Sequence, residues 1–256
     1  MASFSSLTSF PYLDHYLKLA LVEGGLLQLH QDSQIVFIGG GPLPLTPICM
    51  YLIELAKQEG LLETLVNCLN KNKDDQKVLE LKRILRLLDK CEFKGNFHAI
   101  AVDCEEDAVD LASNIVDYLG LSKAISVLEC DGRELDIPHS FDTFMIASMV
   151  TGKEHVLENI LNQLSEGEVV RMAVRSVEHT NLRRLLYEPA EPLLLKFESR
   201  YKELVKESSF TPPPGSFLIN SVHVYSYQKK PATACRPKKQ VRTKIKERGT
   251  THAIHS

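Results

Sequence analysis

A strand, a glycine turn and a helix follow one another within residues 34–51, and this stretch constrains the fold more than any other part of the chain. Residues 35–38, Ile-Val-Phe-Ile, form an apolar, β-branched run that is typical of a buried strand. The run ends on three glycines at 39–41, and the sequence Pro-Leu-Pro-Leu-Thr-Pro leads from them into an apolar helix. Thr46 and Pro47 suit the N-cap and the first position of that helix. The stretch predicts half of a nucleotide-binding unit.

The composition of the turn narrows the choice of ligand. Glycines have no Cβ atom, so the backbone can adopt positive φ angles and a ligand can lie directly against peptide N–H groups. The turn has neither the spaced G-x-G-x-x-G of dinucleotide sites nor the G-K-S/T of phosphate-binding loops. The prolines that follow the glycines stiffen the loop where a dinucleotide site would need its helix to begin at once. We therefore rank S-adenosylmethionine above nicotinamide cofactors.

Length and composition are those of a water-soluble globular protein. The chain has 256 residues, of which 44% are hydrophobic and 25% charged, enough for one sizeable α/β domain with attachments. No apolar run approaches the roughly 18 to 20 residues that span a bilayer, and the N-terminus has no signal-peptide pattern. The six cysteines are scattered, with no C-x-x-C motif and no histidine pair nearby. We expect a cytoplasmic protein that neither contacts a membrane nor binds a metal.

Charge is distributed unevenly along the chain. From Lys229 to the end, nine Lys and Arg residues stand against one acid, a balance of +8, which leaves −11 for residues 1–228 within a total of −3. We predict that residues 229–256 form a disordered basic tail. Such a tail is more often simply solvated than bound to nucleic acid, so nucleic acid is not an expected partner.

Four further strand patterns follow the glycine turn, separated by helical patterns. This β-α alternation predicts an α/β protein with a mostly parallel sheet and helices on both faces, the class I methyltransferase-like (Rossmann-type) fold. A turn and an alternating strand over 210–227 suit the antiparallel hairpin that closes such a sheet, whereas 193–207 is compatible with a helix or an edge strand. The four predicted strands are 97–103, 124–128, 141–147 and 168–175.

The helical patterns also set the predicted domain boundaries. Residues 1–33 form a short N-terminal helical segment, in which the glycine pair at 24–25 interrupts or ends the helix. The S-adenosylmethionine-binding domain spans 34–228, and its first helix covers 48–58. Residues 61–91 predict two amphipathic helices. This pair is an insertion after the first domain helix, because the β-α order would continue without it.

Three features fall where an open α/β sheet binds its ligand, at the carboxyl ends of the strands. The glycines end the first strand. Asp103 ends the second strand, where a carboxylate can accept both ribose hydroxyls, and Asp131 follows the third, where it can receive the adenine amino group. Taken singly, Asp103 could be a helix N-cap and Asp131 a turn residue. Together they predict a cofactor site formed by Gly39, Gly40, Gly41, Pro42, Asp103, Cys104, Asp131 and Gly132.

Six motifs lie in a fixed order along the chain: FPYLDHYLKLALVE, IVFIGGGPLPLTPI, AVDCEEDAVDLA, FDTFMIASMVTG, VVRMAVRS and INSVHVYS. In this order they resemble the nicotianamine synthases and the related bacterial synthases of opine metallophores, over roughly residues 10–228. The most specific piece is G-x-G-P-L-P-L-T. Gly40 stands where the family usually has serine.

The resemblance implies a methyltransferase-like fold that does not transfer methyl. Enzymes of this family move the 3-amino-3-carboxypropyl group of S-adenosylmethionine to an amine or amino-acid acceptor, and methylthioadenosine leaves. The sulfonium activates every carbon attached to it, so the carbon that lies in line with the amine decides the reaction. The implied product is a nicotianamine-like or opine-type metal chelator. An ordinary small-molecule methyltransferase and a non-catalytic S-adenosylmethionine-binding protein are the alternatives.

The acceptor amine must lose a proton before it attacks, which requires a carboxylate or a phenolate nearby. The resemblance gives this role to a glutamate paired with a tyrosine, and the matching glutamate is Glu23. For the tyrosine we choose Tyr51 ahead of Tyr16 and Tyr12, and we expect the latter two to contact the substrate. Glu23 could instead be an ordinary surface residue, and Tyr51 a core residue with a satisfied hydroxyl.

Arg175 and Ser176 end the fifth predicted strand, where the family has a similar Arg-Ser pair. We expect them to hold a carboxylate of the substrate, with helix capping as the alternative role for Ser176. The sequence leaves open the identity of the acceptor, the number of transfers and the oligomeric state, a homodimer included.

Overall fold

The computed structural model describes residues 3–72, 75–176, 190–212 and 221–230. A short 3-10 helix, Phe4–Ser9, precedes the first α-helix. The α-helices are α1 (Leu13–Leu26), α2 (Leu45–Gln58), α3 (Leu62–Asn70), α4 (Asp75–Leu88), α5 (Glu106–Tyr118), α6 (Lys153–Gln163) and α7 (Glu191–Arg200). The strands are β1 (Gln34–Ile38), β2 (His98–Asp103), β3 (Ile125–Glu129), β4 (Thr143–Ile146), β5 (Val169–Ser176), β6 (Leu204–Phe210) and β7 (Ser221–Gln228).

Seven strands of the described residues form one sheet in the order β3-β2-β1-β4-β5-β7-β6. β1 runs parallel to its neighbours β2 and β4, whereas β7 runs antiparallel to β5 and to β6. The strand order reverses at β1, and open α/β sheets bind their ligands at such a reversal. The predicted class I methyltransferase-like fold is confirmed, including the antiparallel hairpin that closes the sheet.

Side chains of β1 alternate between two cores, one on each face of the sheet. Ile35 and Phe37 pack with residues of α1 to α5, whereas Val36 and Ile38 pack with residues of α6 and α7. A strand covered on both faces needs apolar side chains at every position, which is why this run shows no polar alternation.

Helix α1 runs through Gly24 and Gly25, which were expected to interrupt or end it. Gly24 is buried in the last turns of the helix, and a Cβ there would lie 3.7 Å from the Leu29 side chain. The helix ends at Leu26, after which the amide of residue 27 donates to the carbonyl of Glu23 (2.8 Å). Glu23 is consequently held inside regular helix.

Helix α2 begins three residues earlier than predicted. Pro44 occupies the N-cap position, and Thr46 and Pro47 lie buried inside the first turn. Thr46 is therefore not the N-cap. Its hydroxyl accepts a hydrogen bond from Arg175 of β5 (2.9 Å), which is a tertiary contact that local capping preferences do not predict.

The connection between β3 and β4, residues 130–142, is a loop, and the helical pattern predicted between these strands was wrong. Side chains of α6 satisfy the backbone of this loop instead. Asn159 Nδ2 and Gln163 Nε2 donate to the carbonyl of Leu135 (2.9 and 2.7 Å), and the amide of Ile137 donates to Gln163 Oε1 (2.9 Å). Polar groups on one helix thus replace the internal hydrogen bonds of another.

The C-terminal part contains both structures left open for 193–207, since α7 ends at Arg200 and β6 begins at Leu204. Two salt bridges join α7 to α6. The amide of Lys229 donates to the carbonyl of Glu168 (3.2 Å), so the sheet pairing reaches the first residue of the predicted tail. The predicted turn before β7 lies largely, and the basic tail almost entirely, outside the described residues.

The inserted segment forms the two predicted helices, α3 and α4, and a buried ion pair ties it to α1. Lys77 Nζ donates to Asp14 Oδ2 (3.0 Å) and to the carbonyl of Leu69 (3.1 Å), and its side chain is 4% exposed. Removing one member of a buried pair leaves the other charge without compensation. The insertion is therefore attached to the helix that carries Glu23.

We expect Lys77→Met to lower the free energy of unfolding by about 3 kcal/mol, since Asp14 loses its buried ammonium partner. Urea denaturation followed by circular dichroism measures the change. Lys71→Met is the matched control: its pair with Glu80 is half-exposed, so we expect a change within about 0.5 kcal/mol. Equal changes in the free energy of unfolding for the two substitutions would contradict the conclusion that the Lys77–Asp14 pair attaches the insertion to α1.

Candidate active site

The carboxyl ends of four strands bring predicted site residues into one row. Ile38 of β1 pairs with Val102 of β2 and with Ile146 of β4, which pairs in turn with Val174 of β5. The parallel register therefore aligns the next residues of these strands at one edge, beside the reversal of strand order. These residues are Gly39, Asp103, Ala147 and Arg175.

The glycine turn adopts conformations that require glycine at two positions. Gly39 has φ +86°, and a Cβ there would lie 2.6 Å from Val150 Cγ2. Gly41 has φ +62°, and a Cβ there would meet nothing within 4 Å. One side of the turn is thus packed against the loop after β4, while the other side faces open space. Gly40 packs on Ala101, and the following Pro42 is exposed.

Asp103 connects the glycine turn to the start of α5. Its Oδ2 accepts the amide hydrogen of Gly41 (2.7 Å), and its Oδ1 lies 3.2 Å from the amide of Glu105. The N-cap position of α5 is Glu105, so Asp103 is not the N-cap. A carboxylate with lone pairs left over at the open side of the turn is suited to receive ligand hydroxyls. Cys104, next to it, is exposed.

Asp131 is a turn residue, as its alternative interpretation had it. Its carboxylate accepts the amide of Arg133 (2.9 Å) and pairs with the Arg133 guanidinium through Nε (2.9 Å) and Nη2. These hydrogen bonds and the positive charge lower the pKa of Asp131 to about 2. Gly132 packs tightly on β1, since a Cβ there would lie 2.7 Å from Ile38 Cγ2.

A buried ion pair occupies the face of this edge that α1 and α2 cover. Arg175 Nε donates to Glu23 Oε1 and Nη2 to Oε2, both at 2.6 Å, and Nη2 also donates to Thr46 Oγ1 (2.9 Å). The two side chains are 6% and 0% exposed. Glu23 is thus no surface residue, and Arg175 holds the carboxylate of Glu23 in the place of the predicted substrate carboxylate.

The surroundings of this pair are mostly apolar. Arg175 Cζ lies 5.2 Å from the centre of the Phe37 ring, a cation–π contact. Burial lowers the pKa of Arg175, but the charge and hydrogen bonds of Glu23, with smaller contributions from Tyr16 and Cys49, outweigh burial and raise it above its ordinary value. Burial also raises the pKa of the Cys49 thiol, against the smaller lowering effect of Arg175. The guanidinium stays charged.

The three candidate tyrosines lie in different surroundings. Tyr51 packs in an aromatic cluster, with ring centres 4.9 Å from Phe93 and 6.0 Å from Phe97, and burial raises its pKa. Phe97 directly precedes β2, so this cluster is at the end of the sheet opposite to the row of site residues. Tyr16 instead influences Arg175 electrostatically and lies seven residues, about two helical turns, before Glu23 on α1. The structure therefore places Tyr51 away from the ion pair, whereas Tyr16 shares α1 with Glu23 and contributes to the electrostatics of Arg175.

The remaining two predicted substrate contacts, Tyr12 and Ser176, lie in different surroundings. Tyr12 is 54% exposed and packs edge-on against Phe10. Ser176 is fully buried; its Oγ accepts the amide of Ala190 (2.9 Å), and its carbonyl accepts the Ser221 hydroxyl (3.3 Å). Ser176 thus holds the N-cap residue of α7, Ala190, which is close to the capping role that was its alternative.

Within the described residues, no group of three or more His, Cys, Asp or Glu side chains could hold a metal ion. In the same part of the chain, none of the helices is long and apolar enough to cross a membrane.

Comparison with known proteins places this chain in a family. The profile of the family described as "Nicotianamine synthase protein" matches residues 2–231. The chain belongs to the nicotianamine synthase family. The predicted resemblance is confirmed.

The individual proteins that match this chain share limited sequence with it. Nicotianamine synthase 9 of Hordeum vulgare is 42% identical over 48 residues, which cover 17% of the chain and 14% of that relative. A glutamate-to-glutamine mutant of MtNAS in complex with S-adenosylmethionine is 21% identical with a TM-score of 0.55, over 88% of this chain and 65% of that one. MtNAS in complex with MTA and tNA is 23% identical with a TM-score of 0.53, over 87% and 63%.

The fold extends beyond the family. The tRNA methyltransferase TrmK of B. subtilis is 14% identical with a TM-score of 0.50, over 82% of this chain and 65% of its own. The chain thus spans somewhat less than two thirds of the MtNAS chain, and at these identities the structural likenesses show the fold alone.

Sequence reasoning missed the part that Thr46 plays in the site. Its hydroxyl reaches the Arg175 guanidinium from the first turn of α2. The signal was present, since Thr46 ends the G-x-G-P-L-P-L-T motif, but its suitability as an N-cap masked it. Phe37 and Cys49 were likewise assigned to core strand and helix, where they also line the ion pair.

We expect Arg133→Ala to raise the pKa of Asp131 from about 2 toward the ordinary 3.8. The folded pKa is depressed, so the pair stabilises the loop fully above about pH 4, and this stabilisation is lost as the pH falls toward 2. A carbon-13 NMR titration of the side-chain carboxyl measures the value. Arg200→Ala, which removes a surface arginine paired with Glu158, should leave it unchanged. A pKa of Asp131 that stays near 2 without Arg133 would refute Arg133 as the cause of the lowered value.

Proposed function

We propose that this chain transfers the 3-amino-3-carboxypropyl group of S-adenosylmethionine to the amine of an amino-acid acceptor and releases methylthioadenosine. Family membership and the methyltransferase-like fold support an S-adenosylmethionine-dependent transferase. The observation that carries the finer proposal is the buried pair of Glu23 and Arg175 at the carboxyl edge of the sheet. The product proposed is a nicotianamine-like or opine-type chelator, whose own amines and carboxylates bind the metal.

The glycine turn and Asp103 are the proposed S-adenosylmethionine site. Open space in front of Gly41 admits a ligand, and Asp103 presents a carboxylate there to ribose hydroxyls. Asp131 stands two residues beyond Glu129, the partner of Asp103 in the sheet register. Because Arg133 keeps Asp131 ionised, its carboxylate can still accept a hydrogen bond from the adenine amino group.

The ion pair is electrostatically complementary to a zwitterion. An amino acid brings one carboxylate and one ammonium, which can exchange partners with the pair so that the carboxylate binds Arg175 and the ammonium binds Glu23. Every buried charge keeps a partner, and the net charge of the region does not change. A simple amine would leave Arg175 without a carboxylate, which costs about 3 to 5 kcal/mol for a buried pair. The site therefore favours amino acids over simple amines.

The exchange places Glu23 where a proton acceptor is needed. Released from Arg175, its carboxylate accepts a proton from the acceptor ammonium. The amine nitrogen then forms a bond to the methionine Cγ, the Cγ–S bond breaks, and its electron pair moves to the sulfur of the departing thioether. Glu23 returns the proton to solvent and pairs again with Arg175. Tyr16 replaces Tyr51 as the proposed partner tyrosine, because it is on the same helix as Glu23 and interacts electrostatically with Arg175.

Incubation of the full chain with carboxyl-labelled S-adenosylmethionine and single acceptors tests the proposed reaction. We expect methylthioadenosine and a labelled adduct with an amino acid such as histidine, glutamate or S-adenosylmethionine itself. Histamine, which is histidine without its carboxylate, is the matched control, and we expect its kcat/KM to be about 100-fold lower because Arg175 is left unpaired.

The products distinguish the proposal from its alternatives. S-adenosylhomocysteine as the only nucleoside product would show a methyltransferase. Calorimetric binding of S-adenosylmethionine with no turnover of any acceptor would show a non-catalytic member of the family. Equal turnover of histidine and histamine would refute the partner exchange at Arg175.

We expect Glu23→Gln to lower kcat at least about 100-fold while the Kd for S-adenosylmethionine stays within about threefold, since a neutral amide cannot accept the proton. Asp103→Ala should instead weaken S-adenosylmethionine binding at least tenfold, because hydrogen bonds to a charged acceptor are lost. Steady-state kinetics and calorimetry give both values. Glu54→Gln alters a buried glutamate paired with Lys57 elsewhere on α2 and controls for loss of stability. Near-normal kcat in Glu23→Gln would exclude its proposed role.

A further inference from the structure

A completely buried lysine organises the loop that follows β4. Lys153 is 0% exposed, and its Nζ donates to the carbonyls of Ser148 (2.8 Å) and Val150 (2.7 Å). The loop between β4 and α6 is therefore folded around the ammonium of the residue that begins α6.

This position is unfavourable for a lysine on two grounds. Desolvation of an ammonium costs several kcal/mol unless its hydrogen bonds are replaced. Lys153 is also the first residue of α6, following Gly152 at the N-cap with φ +65°, and a positive charge at a helix N-terminus opposes the helix dipole. A methionine would fill the same volume without either cost. Residues that are less stabilising than an available alternative are commonly found at functional sites.

The loop held by Lys153 forms a wall of the proposed active site. Val150 lies directly on the glycine turn, where a Cβ on Gly39 would come within 2.6 Å of its Cγ2, and it packs against the cores on both faces of the sheet. The amide of Ala147 donates to the carbonyl of Ile38 (2.9 Å). The far end of the loop reaches the Asp131 turn, since a Cβ on Gly152 would lie 3.8 Å from Arg133 Cδ.

The loop thus touches both parts of the proposed S-adenosylmethionine site, and its shape is set from inside by one side chain. Backbone carbonyls held by an ammonium cannot rotate without losing charge-assisted hydrogen bonds. An error of about 1 Å in the placement of reacting atoms lowers a rate about 100-fold. A loop of fixed shape beside the glycine turn can therefore determine which carbon of the sulfonium faces the acceptor.

We propose that Lys153 is a positioning residue that fixes the loop 147–152, so that the methionine Cγ, and not the methyl carbon, lies in line with the acceptor amine. This inference rests on the proposed aminocarboxypropyl transfer. Lys153 takes no part in the chemistry itself; it acts through Val150 and the backbone of the loop.

The test compares Lys153→Met and Lys153→Gln with the control Lys196→Met. The control removes a surface lysine of α7 that is paired with Glu154, the neighbour of Lys153 on α6. We expect Lys153→Met to lower kcat for methylthioadenosine release about 100-fold, with the Kd for S-adenosylmethionine within about threefold. The ratio of methylthioadenosine to S-adenosylhomocysteine should fall as well. Lys153→Gln keeps N–H donors, so its ratio should lie between those of Lys153→Met and the unaltered chain; it also replaces Lys153→Met if that variant does not fold. Lys196→Met should match the unaltered chain.

An unchanged kcat and product ratio in Lys153→Met would overturn the inference. So would equal losses of kcat and S-adenosylmethionine affinity at a constant ratio, since these indicate a merely structural role. If the unaltered chain releases no methylthioadenosine with any acceptor, the proposed function itself fails. Hydrogen exchange in the presence of S-adenosylmethionine then tests separately whether Lys153 fixes the loop. Faster exchange of the 147–152 amides in Lys153→Met than in Lys196→Met supports this role, and equal exchange refutes it.

Discussion

The salt bridge between Glu23 and Arg175 is the interaction on which the architecture of the site depends. The two residues are 152 positions apart, and their pairing closes α1 over the carboxyl edge of the sheet. Two hydrogen bonds of 2.6 Å and a third to Thr46 satisfy the guanidinium in a region without solvent. Neither side chain could be buried alone, since an isolated buried charge costs several kcal/mol. The pair therefore joins the N-terminal helix to the last parallel strand in the folded protein.

A buried ion pair contributes little net stability compared with well-packed apolar residues. Under the proposed function, the role of this pair is to exchange its partners with a zwitterionic acceptor. In the free protein each charge is neutralised by the other, and a zwitterionic acceptor can take over both contacts without leaving a charge unpaired. In the proposed reaction Glu23 faces two conflicting demands: its carboxylate must be ionised to accept a proton, and its charge must be compensated in an apolar interior. Arg175 meets the second demand until the acceptor arrives.

Most of the fold followed from local pattern, and much of the site did not. The run of β-branched residues before the glycines predicted β1, because a strand buried on both faces has no alternative composition. Glu23 and Arg175 were predicted as site residues from the resemblance in motif order, and Asp103 from its position at the end of the second strand. The sequence position of Tyr51, one or two turns beyond the glycine turn, does not show which way its side chain points. Thr46 was wrongly predicted as an N-cap because capping preference is local, whereas its partner is on β5. Contacts across the sheet decide both, and a single sequence does not contain them.

A methyltransferase-like sheet does not by itself choose a carbon of the sulfonium, since in the proposed site the glycine turn and Asp103 contact only the nucleoside part of the ligand. The choice must come from elements that surround the methionine part. In this chain those elements are α1, with Glu23 and Tyr16, and the loop after β4, which Lys153 folds against Gly39. Helix α1 covers one face of this edge, whereas Val150 of the loop contacts the cores on both faces. Lys77 of the insertion is paired with Asp14 of α1. Under the proposed function, specificity for Cγ therefore depends on these two elements and not on the glycine turn. A change in either is expected to redirect the transfer without disturbing the sheet.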